Sequence, residues 1–295
     1  MSKIKIITDS TSDIPPDVAK KYNIDVVPLN IFFGEEKYKD GKTIDANEVY
    51  SRLEEGKGPW PTTSQPSARE MLEYYNKAFD NGYETVFSIH INANMSGTIN
   101  SANLAKQMLK DKDLVLVDSN SVTHGLGITV TEIAKMVEAG KTKEQLENVL
   151  NNSFRPNVRV FGVVDTLEYL HRGGRIGRAS KVLGTLLKMK PILNLKDGVI
   201  ESVGKVKGFD EAFNKFVDMA PKVFDNLLVD TVWIGYAADD TNAAKLYDVI
   251  KDLPNAPKEL KLYEIGPTIG VHIGPKSLIL SWIGNWDTNW YFGKY

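Results

Sequence analysis

The chain has 295 residues, enough for two domains or one large one, and its composition of 42% hydrophobic and 25% charged residues is typical of a globular protein. Its formal net charge of −2 gives no basic field of the kind that attracts nucleic acid. It contains no cysteine, which excludes a disulfide framework, a cysteine-ligated metal and a cysteine nucleophile. No signal peptide and no apolar run of membrane-spanning length are visible, so we expect a cytoplasmic protein without integral membrane association.

The first residues alternate short apolar runs with helical patterns. Strands are predicted at residues 3–8 and 24–33, and a helix that begins at Pro15 and ends at Tyr22 separates them. A charged, glycine-rich hairpin or loop follows at residues 34–41. A further helix is predicted at residues 45–54, which a Gly-Pro-rich segment ends.

Residues 61–67 (PTTSQPS) place hydroxyl side chains and an amide between two prolines. Ser67 followed by Glu70 has the spacing of a capping box, so the next helix is predicted to begin at Ser67. Residues 62–64 are then expected in the loop before a helix N-terminus, where unpaired N–H groups and the helix dipole favour a carboxylate or phosphate. Simple capping with a proline-rich turn is the alternative interpretation.

The alternation then continues, with strands at residues 85–89 and 114–117 and helices at residues 99–110, 125–140 and 143–151. Strands that alternate with helices predict a parallel sheet covered on both faces. Loops at the carboxyl ends of parallel strands meet at one edge of the sheet. We therefore expect the polar segments 9–13 and 92–98 to lie near residues 62–67 and to form an anion site there.

From residue 159 onward, hairpin-linked strands are mixed with helices. Strands are predicted at 160–164, 190–195, 199–203, 232–236 and 261–265, and helices at 179–187, 209–219 and 243–253. Residues 196–198 (KDG) predict a hairpin turn between two of the strands. We therefore predict an N-terminal α/β domain with a parallel sheet, residues 1–156, and a C-terminal α/β domain with a mixed sheet, residues 157–295.

Residues 172–178 (RGGRIGR) place three arginines among three glycines. Arginine binds phosphate or carboxylate through two parallel hydrogen bonds, and glycine lets the backbone approach a ligand closely. The segment lacks the ending of a Walker loop and the spacing of a dinucleotide fingerprint. A tight turn with solvated arginines is the alternative.

His272 lies in a predicted loop, residues 266–275, that glycine and proline punctuate. A histidine there can donate a hydrogen bond to an anion or carry a proton near neutral pH, although a packed or solvated histidine is the commoner case. The other histidines are scattered without metal-ligand spacing, so no metal site is predicted: His90, His124 and His171. Asp9 and Asp13 form either an acidic pair or ordinary caps, and no serine-hydrolase elbow is present.

Taken together, these segments resemble the signatures of the DegV family of bacterial fatty-acid-binding proteins. Each segment alone is weak, but the ordered set is specific and covers nearly the whole chain. The segments that carry the resemblance are DSTSDIP (9–15), TSQPS (63–67), SGT with SA (96–98, 101–102), VDS with GLG (117–119, 125–127), residues 167–193 and residues 266–275.

The resemblance implies two α/β domains with a long-chain fatty acid of the palmitate or oleate class between them. It implies that Thr63, Ser96 and His272 hold the carboxylate, with Ser64, Gly97 and Thr98 in the same binding segments. The family's RGGRI stretch matches residues 172–176, so Arg172 and Arg175 are expected to border the site and to steady a phosphoryl group. No cofactor is implied.

The resemblance also implies a partner. Such proteins present the lipid to a separate ATP-binding subunit of a fatty acid kinase, which phosphorylates the carboxylate, so the chain itself is not expected to be an enzyme. Family members that work with the kinase often carry an arginine after the hairpin strand, where this chain has Lys205 and Lys207. Lysine keeps the charge but loses the planar fork, so lipid binding is the firmer expectation and Lys207 is a candidate residue near the partner.

Two alternatives stay open at this point. One is a stand-alone enzyme acting on a small phosphorylated or carboxylated metabolite with Asp9, Arg172, Arg175 and His272, which requires a polar pocket rather than a narrow apolar one. The other is a regulatory module that binds a protein through the aromatic tail, residues 282–292; the simpler expectation for that tail is packing on the second domain.

Overall fold

The computed structural model describes residues 3–184, 189–287 and 290. The predicted α/β architecture is confirmed, with a parallel sheet in the N-terminal part and a mixed sheet in the C-terminal part. A domain boundary at residue 156 stays a prediction. Across the described ranges, every helix is too short or too polar to span a lipid bilayer.

The N-terminal part is built around a four-stranded parallel sheet. Its elements are β1 (Ile4–Asp9), α1 (Pro16–Lys21), β2 (Ile24–Val27), β3 (Asn30–Phe33), β4 (Glu36–Lys39), α2 (Ala46–Glu55), β5 (Thr62–Ser64), α3 (Ala68–Asp80), β6 (Thr85–His90), α4 (Thr98–Met108), β7 (Asp113–Asp118), α5 (Thr123–Glu138), α6 (Lys143–Val149) and α7 (Arg155–Asn157). The strand order is β2-β1-β6-β7. Every residue of β1 and β6 is buried, as expected for strands covered on both faces.

A second, three-stranded antiparallel sheet, β4-β3-β5, corrects two predictions. Residues 24–33 form two strands in different sheets rather than one, because the chain leaves the parallel sheet at Pro28, which has no N–H to continue the ladder. Residues 62–64 are a strand rather than a loop, because Thr63 pairs with Ile31 of β3. The helix after them does begin where predicted, with the reciprocal Ser67–Glu70 capping box formed.

The C-terminal part is a six-stranded mixed sheet. Its elements are β8 (Val158–Val164), α8 (Glu168–Arg172), β9 (Lys190–Lys196), β10 (Val199–Val206), α9 (Phe209–Phe224), β11 (Leu227–Ala237), α10 (Thr241–Ile250), β12 (Glu259–Glu264), α11 (Pro267–Ile273) and β13 (Ser277–Gly284). The strand order is β10-β9-β8-β13-β11-β12. The helix predicted at residues 179–187 is instead a 3₁₀ turn, Gly177–Val182, and residues 185–187 lie outside the described ranges.

Residues 266–275 correct the prediction of a loop, because they contain helix α11. Pro267 occupies the first turn, where its missing N–H costs nothing, and Gly274 ends the helix with a φ of 73°. The glycines and prolines therefore mark the ends of a helix.

The described part of the aromatic tail packs on the C-terminal sheet. Trp282 lies in β13, a strand that the sequence did not predict, and its side chain is 0% exposed. Trp286 follows, with its ring centroid 5.0 Å from that of Phe161 and 5.4 Å from that of Trp282. Residues 288–289 and 291–292 of the predicted tail lie outside the described residues.

Helix α5 joins the two parts. It contacts β8, β11 and β13 of the C-terminal sheet as well as β1 of the N-terminal sheet. The fit requires a glycine at position 127, because a Cβ there would lie 2.5 Å from both the Trp233 ring and the Ser12 carbonyl oxygen. The two parts therefore share one buried contact zone, and the candidate site lies beside it.

Candidate functional site

A narrow cavity lies between the two parts. Its volume is about 100 Å³. Most of its lining is aliphatic: Leu29, Ile91, Met95, Val122, Val160, Val164, Leu170, Leu193, Leu195, Ile200, Ile269, Ile273 and Ile279. The polar lining residues are Thr11, Thr63, Ser64, Gln65, Ser96, Thr123, Arg175, Asn194, Thr268 and His272.

Three predicted ligand-binding residues from distant parts of the chain line this cavity. His272 lies in the last turn of α11, and its Nε2 is 2.8 Å from Oγ1 of Thr63 on β5. Ser96 belongs to the turn that follows β6 and precedes α4. The carboxyl ends of β1 and β6 do meet at this edge, because the N–H of Ile91 donates to the Asp9 carboxylate at 3.1 Å. The roles of these residues in ligand binding stay predictions.

Arg175 sets the charge of the cavity wall. Its Nε donates to the Met95 carbonyl at 3.2 Å and one terminal nitrogen donates to the Gly173 carbonyl at 2.7 Å, which fixes the guanidinium. Among the described residues that line the cavity, it is the only one with a permanent charge, and none is a carboxylate. The wall therefore attracts an anion rather than a cation.

The imidazole of His272 is neutral at neutral pH. Burial lowers its pKa to about 4, and the positive charge of Arg175 contributes in the same direction. The turn after α8 packs directly on this ring, since a Cβ on Gly173 would lie 2.2 Å from Nδ1 of His272. A neutral imidazole carries one N–H and one lone pair, so it can exchange a hydrogen bond with Thr63 without adding charge to the site.

Ser64 also lines the cavity, whereas Gly97 and Thr98 do not. The hydroxyls of Ser96 and Thr98 are 2.9 Å apart, which orients the Ser96 side chain. A Cβ on Gly97 would lie 2.8 Å from Nε2 of Gln65, so a glycine there lets the two binding segments meet. Gly97 and Thr98 thus shape the site without lining it.

Two predicted cationic residues do not line the cavity. Arg172 is exposed, with its guanidinium 4.3 Å from the Trp60 ring centroid and 2.5 Å from a Glu168 carboxylate oxygen. Lys207 is exposed just after β10. Of the residues expected near a phosphoryl group, only Arg175 therefore reaches the cavity wall.

Asp9 has a structural role. Its carboxylate is fully buried and accepts from the Thr11 hydroxyl and N–H, from the N–H of Ile91, and from Nδ1 of His90 at 2.9 Å. It does not line the cavity, so the set required by the stand-alone enzyme is not assembled. Within the described ranges, no group of three or more histidine, aspartate or glutamate side chains is arranged to hold a metal.

Thr11, Thr123 and Thr268 line the cavity but were not singled out as site residues, although Thr11 lies in segment 9–13, which was expected to contribute to an anion site. Thr11 and Thr123 follow strands of the parallel sheet, so their position after a strand was an available signal. Thr268 lies four residues before His272, on the same face of α11. Because residues 266–275 were predicted to be a loop, the sequence did not indicate that Thr268 and His272 share a helix face.

Comparison with known proteins places the chain among relatives of similar length. Residues 3–285 match the sequence profile of the family described as "Uncharacterised protein, DegV family". A DegV domain-containing protein of Clostridium acetobutylicum is 36% identical over 276 residues, which cover 93% of this chain and 96% of that protein.

Solved structures of related proteins also match this chain over nearly all of its length. A DegV family protein from Thermus thermophilus, described as fatty acid binding, has a TM-score of 0.87 and 31% identity, covering 95% of this chain and 99% of that chain. A stearic acid-binding protein from Eubacterium ventriosum has a TM-score of 0.86 and 27% identity, with coverage of 96% and 98%. Both the ordered motifs and the architecture lead to one conclusion: the chain belongs to the DegV family.

Proposed function

We propose that the protein binds one long-chain fatty acid in the cavity between its two parts. The carboxylate lies against Thr63, Ser96, His272 and Arg175, and the hydrocarbon runs along the aliphatic wall. The observation that carries this proposal is the 2.8 Å contact between His272 Nε2 and Thr63 Oγ1 on the wall of a mainly apolar cavity. The fatty acid binding of the Thermus thermophilus and Eubacterium ventriosum proteins supports it.

The energetics explain why both the hydrocarbon wall and the polar cluster are needed. Each buried methylene contributes about 0.8 kcal/mol, so about fifteen contribute on the order of 12 kcal/mol. Association costs of about 4–15 kcal/mol offset most of this, and a preformed cavity is therefore important. A buried carboxylate without partners costs several kcal/mol. The hydroxyls, the imidazole and Arg175 remove that cost and fix the orientation of the ligand.

Protein purified under native conditions is expected to release a long-chain fatty acid in mass spectrometry, because the apolar cavity binds such acids from the expressing cell. Ile279→Trp, which fills the cavity with a larger apolar side chain, is the matched control and is expected to be empty. Wild-type protein that is empty and takes up neither palmitate nor oleate would contradict the proposal.

The second part of the proposal is that the bound carboxylate is presented to a separate ATP-dependent fatty acid kinase subunit in the cytoplasm. A carboxylate oxygen attacks the terminal phosphorus of ATP, the bond from that phosphorus to the ADP oxygen breaks, and an acyl phosphate and ADP result. Arg175 on the cavity wall and the exposed Arg172 beside Trp60 supply cationic groups for the phosphate charge.

His272→Ala is expected to impair phosphorylation of the bound acid more than its binding. The carboxylate keeps Thr63, Ser96 and Arg175, whereas the reacting oxygen loses the group that orients it, which reduces turnover by about tenfold or more. Calorimetry measures the affinity, and acyl phosphate formation with a purified kinase subunit measures the turnover. His171→Ala, at an exposed histidine on α8, is the control. Equal turnover by wild type and His272→Ala would remove His272 from the reaction.

A further inference from the structure

Helix α11 carries His272 but has no cap of its own. Its N-cap residue is Gly266, which has no side chain, and its first residue is Pro267, which has no N–H. A helix as short as this one is unstable alone in water. Its position must therefore come from contacts with the rest of the protein.

Two buried carboxyl groups of the N-terminal part face the start of α11. Asp13 lies beside Gly266, the residue before the helix, and Asp40 lies beside Thr268 in its first turn. The approach is close, since a Cβ on Gly266 would lie 2.5 Å from Oδ1 of Asp13. Burial raises the pKa of both carboxyls, that of Asp40 to about 6, while the neighbouring hydroxyl and backbone groups favour the charged forms. The two aspartates thus lie where the start of α11 meets the N-terminal part.

Both carboxyls are also tied to the N-terminal part by hydroxyl groups. Oδ2 of Asp13 accepts from Thr123 Oγ1 at 2.7 Å, and Oδ2 of Asp40 accepts from Ser10 Oγ at 2.7 Å. Thr123 and Thr268 line the fatty acid cavity. The carboxyls therefore lie directly behind the cavity wall.

The Asp13–Thr123 hydrogen bond joins two residues with unusual backbone. Asp13 has a φ of 49° and Thr123 a φ of 46°, both in the left-handed region. For a β-branched residue this is an outlier that the surroundings must enforce. This strained pair joins the start of α5 to the turn after β1, and that turn lies against the residue that precedes α11.

The other end of α11 reaches the predicted head-group site. His272 in its last turn contacts Thr63, and Tyr50 holds the segment before the helix through a 2.8 Å bond from its hydroxyl to the Ile265 carbonyl. We propose that Asp13, Asp40 and Thr123 are positioning residues, which fix the start of α11 against the N-terminal part and thereby hold His272 against Thr63. The consequence for affinity rests on the proposed fatty acid binding, whereas the geometry of His272 does not.

The test uses the 295-residue chain stripped of lipid and the variants Asp13→Asn/Asp40→Asn and Thr123→Val. Asparagine keeps the shape of aspartate, but its NH₂ group cannot accept a hydrogen bond as the replaced carboxylate oxygen does. Valine keeps the shape of threonine without its hydroxyl. Proton–nitrogen NMR correlations of the His272 ring report its tautomer and hydrogen bond. We expect both variants to shift these signals toward those of Thr63→Val, and Thr123→Ser, which restores the donor, to return them to the wild-type positions.

Asp113→Asn is the control: this carboxylate on β7 also accepts from a threonine hydroxyl, that of Thr85 at 2.8 Å, and it pairs with Lys143 away from the cavity. Palmitate affinity is expected to fall about tenfold in the double variant, which corresponds to about 1.4 kcal/mol, and to be unchanged in Asp113→Asn. Wild-type His272 signals in a folded double variant, or an equal shift in Asp113→Asn, would overturn the proposal.

Two further outcomes are informative. If the double variant does not fold, Thr123→Val alone decides, and unshifted His272 signals in it overturn the proposal. If the signals shift as expected but wild-type protein does not bind palmitate, the positioning role stands and the proposed function fails.

Discussion

Combined replacement of Thr63 by valine and Ser96 by alanine is expected to weaken the binding of palmitate or oleate by about a hundredfold or more. A hydrogen bond to a charged group contributes about 1.5–3 kcal/mol, so the loss of two amounts to about 3–6 kcal/mol. Every 1.4 kcal/mol corresponds to about a tenfold change in affinity. The aliphatic wall is untouched, so the loss arises at the carboxylate alone.

Calorimetry on lipid-free protein measures this loss, and two controls separate it from a general effect. Thr62→Val/Ser101→Ala removes the same two kinds of hydroxyl from neighbouring positions on β5 and α4 that do not line the cavity. Hexadecanol, which has the chain but no carboxylate, is expected to bind wild type and Thr63→Val/Ser96→Ala with similar affinity. Unchanged palmitate affinity in the double variant would refute the assignment of the head-group site.

The sequence is a good guide to the parallel sheet, because its signals are local. β1 and β6 are short, mainly apolar segments that end in polar turns, and every residue in them is buried, as expected for strands covered by helices on both faces. The capping box at Ser67 and Glu70 also depends on residues within one turn and forms as predicted. The predicted strand ends thus place segments 9–13 and 92–98 at the same edge.

The elements that were wrong or missed depend on distant partners. β5 is a strand because Thr63 pairs with Ile31, a relation across 32 residues that no local pattern contains. α11 is a short helix whose start lies against Tyr50 and Asp13 of the N-terminal part. β13 contains Trp282, whose burial follows only from its place between β8 and β11. The motifs in the sequence therefore identify Thr63 and His272, but they do not predict the strand and the helix on which these residues lie.

Some of the predicted site residues line the cavity and others do not. The family resemblance selects Thr63, Ser96, His272 and Arg175, and all four line one cavity. It also selects Arg172 and Lys207, which lie outside that cavity because the chain turns at Gly173 and because β10 ends at Val206. Charge and motif identify candidate residues, whereas the direction of each side chain depends on the tertiary structure.

Acidification is expected to destabilise the protein through His124. This side chain is 0% exposed, and neither ring nitrogen has a hydrogen-bond partner among the described residues. It packs between α5 and the C-terminal sheet, with its ring centroid 5.7 Å from that of Trp233. Burial lowers its pKa to about 4. Between about pH 6.5 and pH 4, the unfolded chain, with a histidine pKa of about 6.5, therefore binds a proton at this position that the native state does not bind.

The sign and size of the effect follow from this difference. As pH falls below about 6.5, the unfolded state binds more protons than the native state, so the free energy of unfolding decreases until about pH 4. A separation of about 2.5 pKa units corresponds to about 3 kcal/mol. Asp40 acts in the opposite direction, because its raised pKa favours proton uptake by the native state as pH falls toward about 6 and below. A comparison between variants isolates the histidine.

Urea unfolding at about pH 7.5 and about pH 4.5 measures the loss in wild type and in His124→Leu. Wild type is expected to lose about 2–3 kcal/mol more than the variant between these two conditions, because leucine at position 124 has no proton to bind. His171→Leu, at an exposed position on α8, is expected to lose as much as wild type. If His124→Leu and wild type lose the same free energy, the acid sensitivity arises elsewhere and the ring of His124 is not held neutral by its burial.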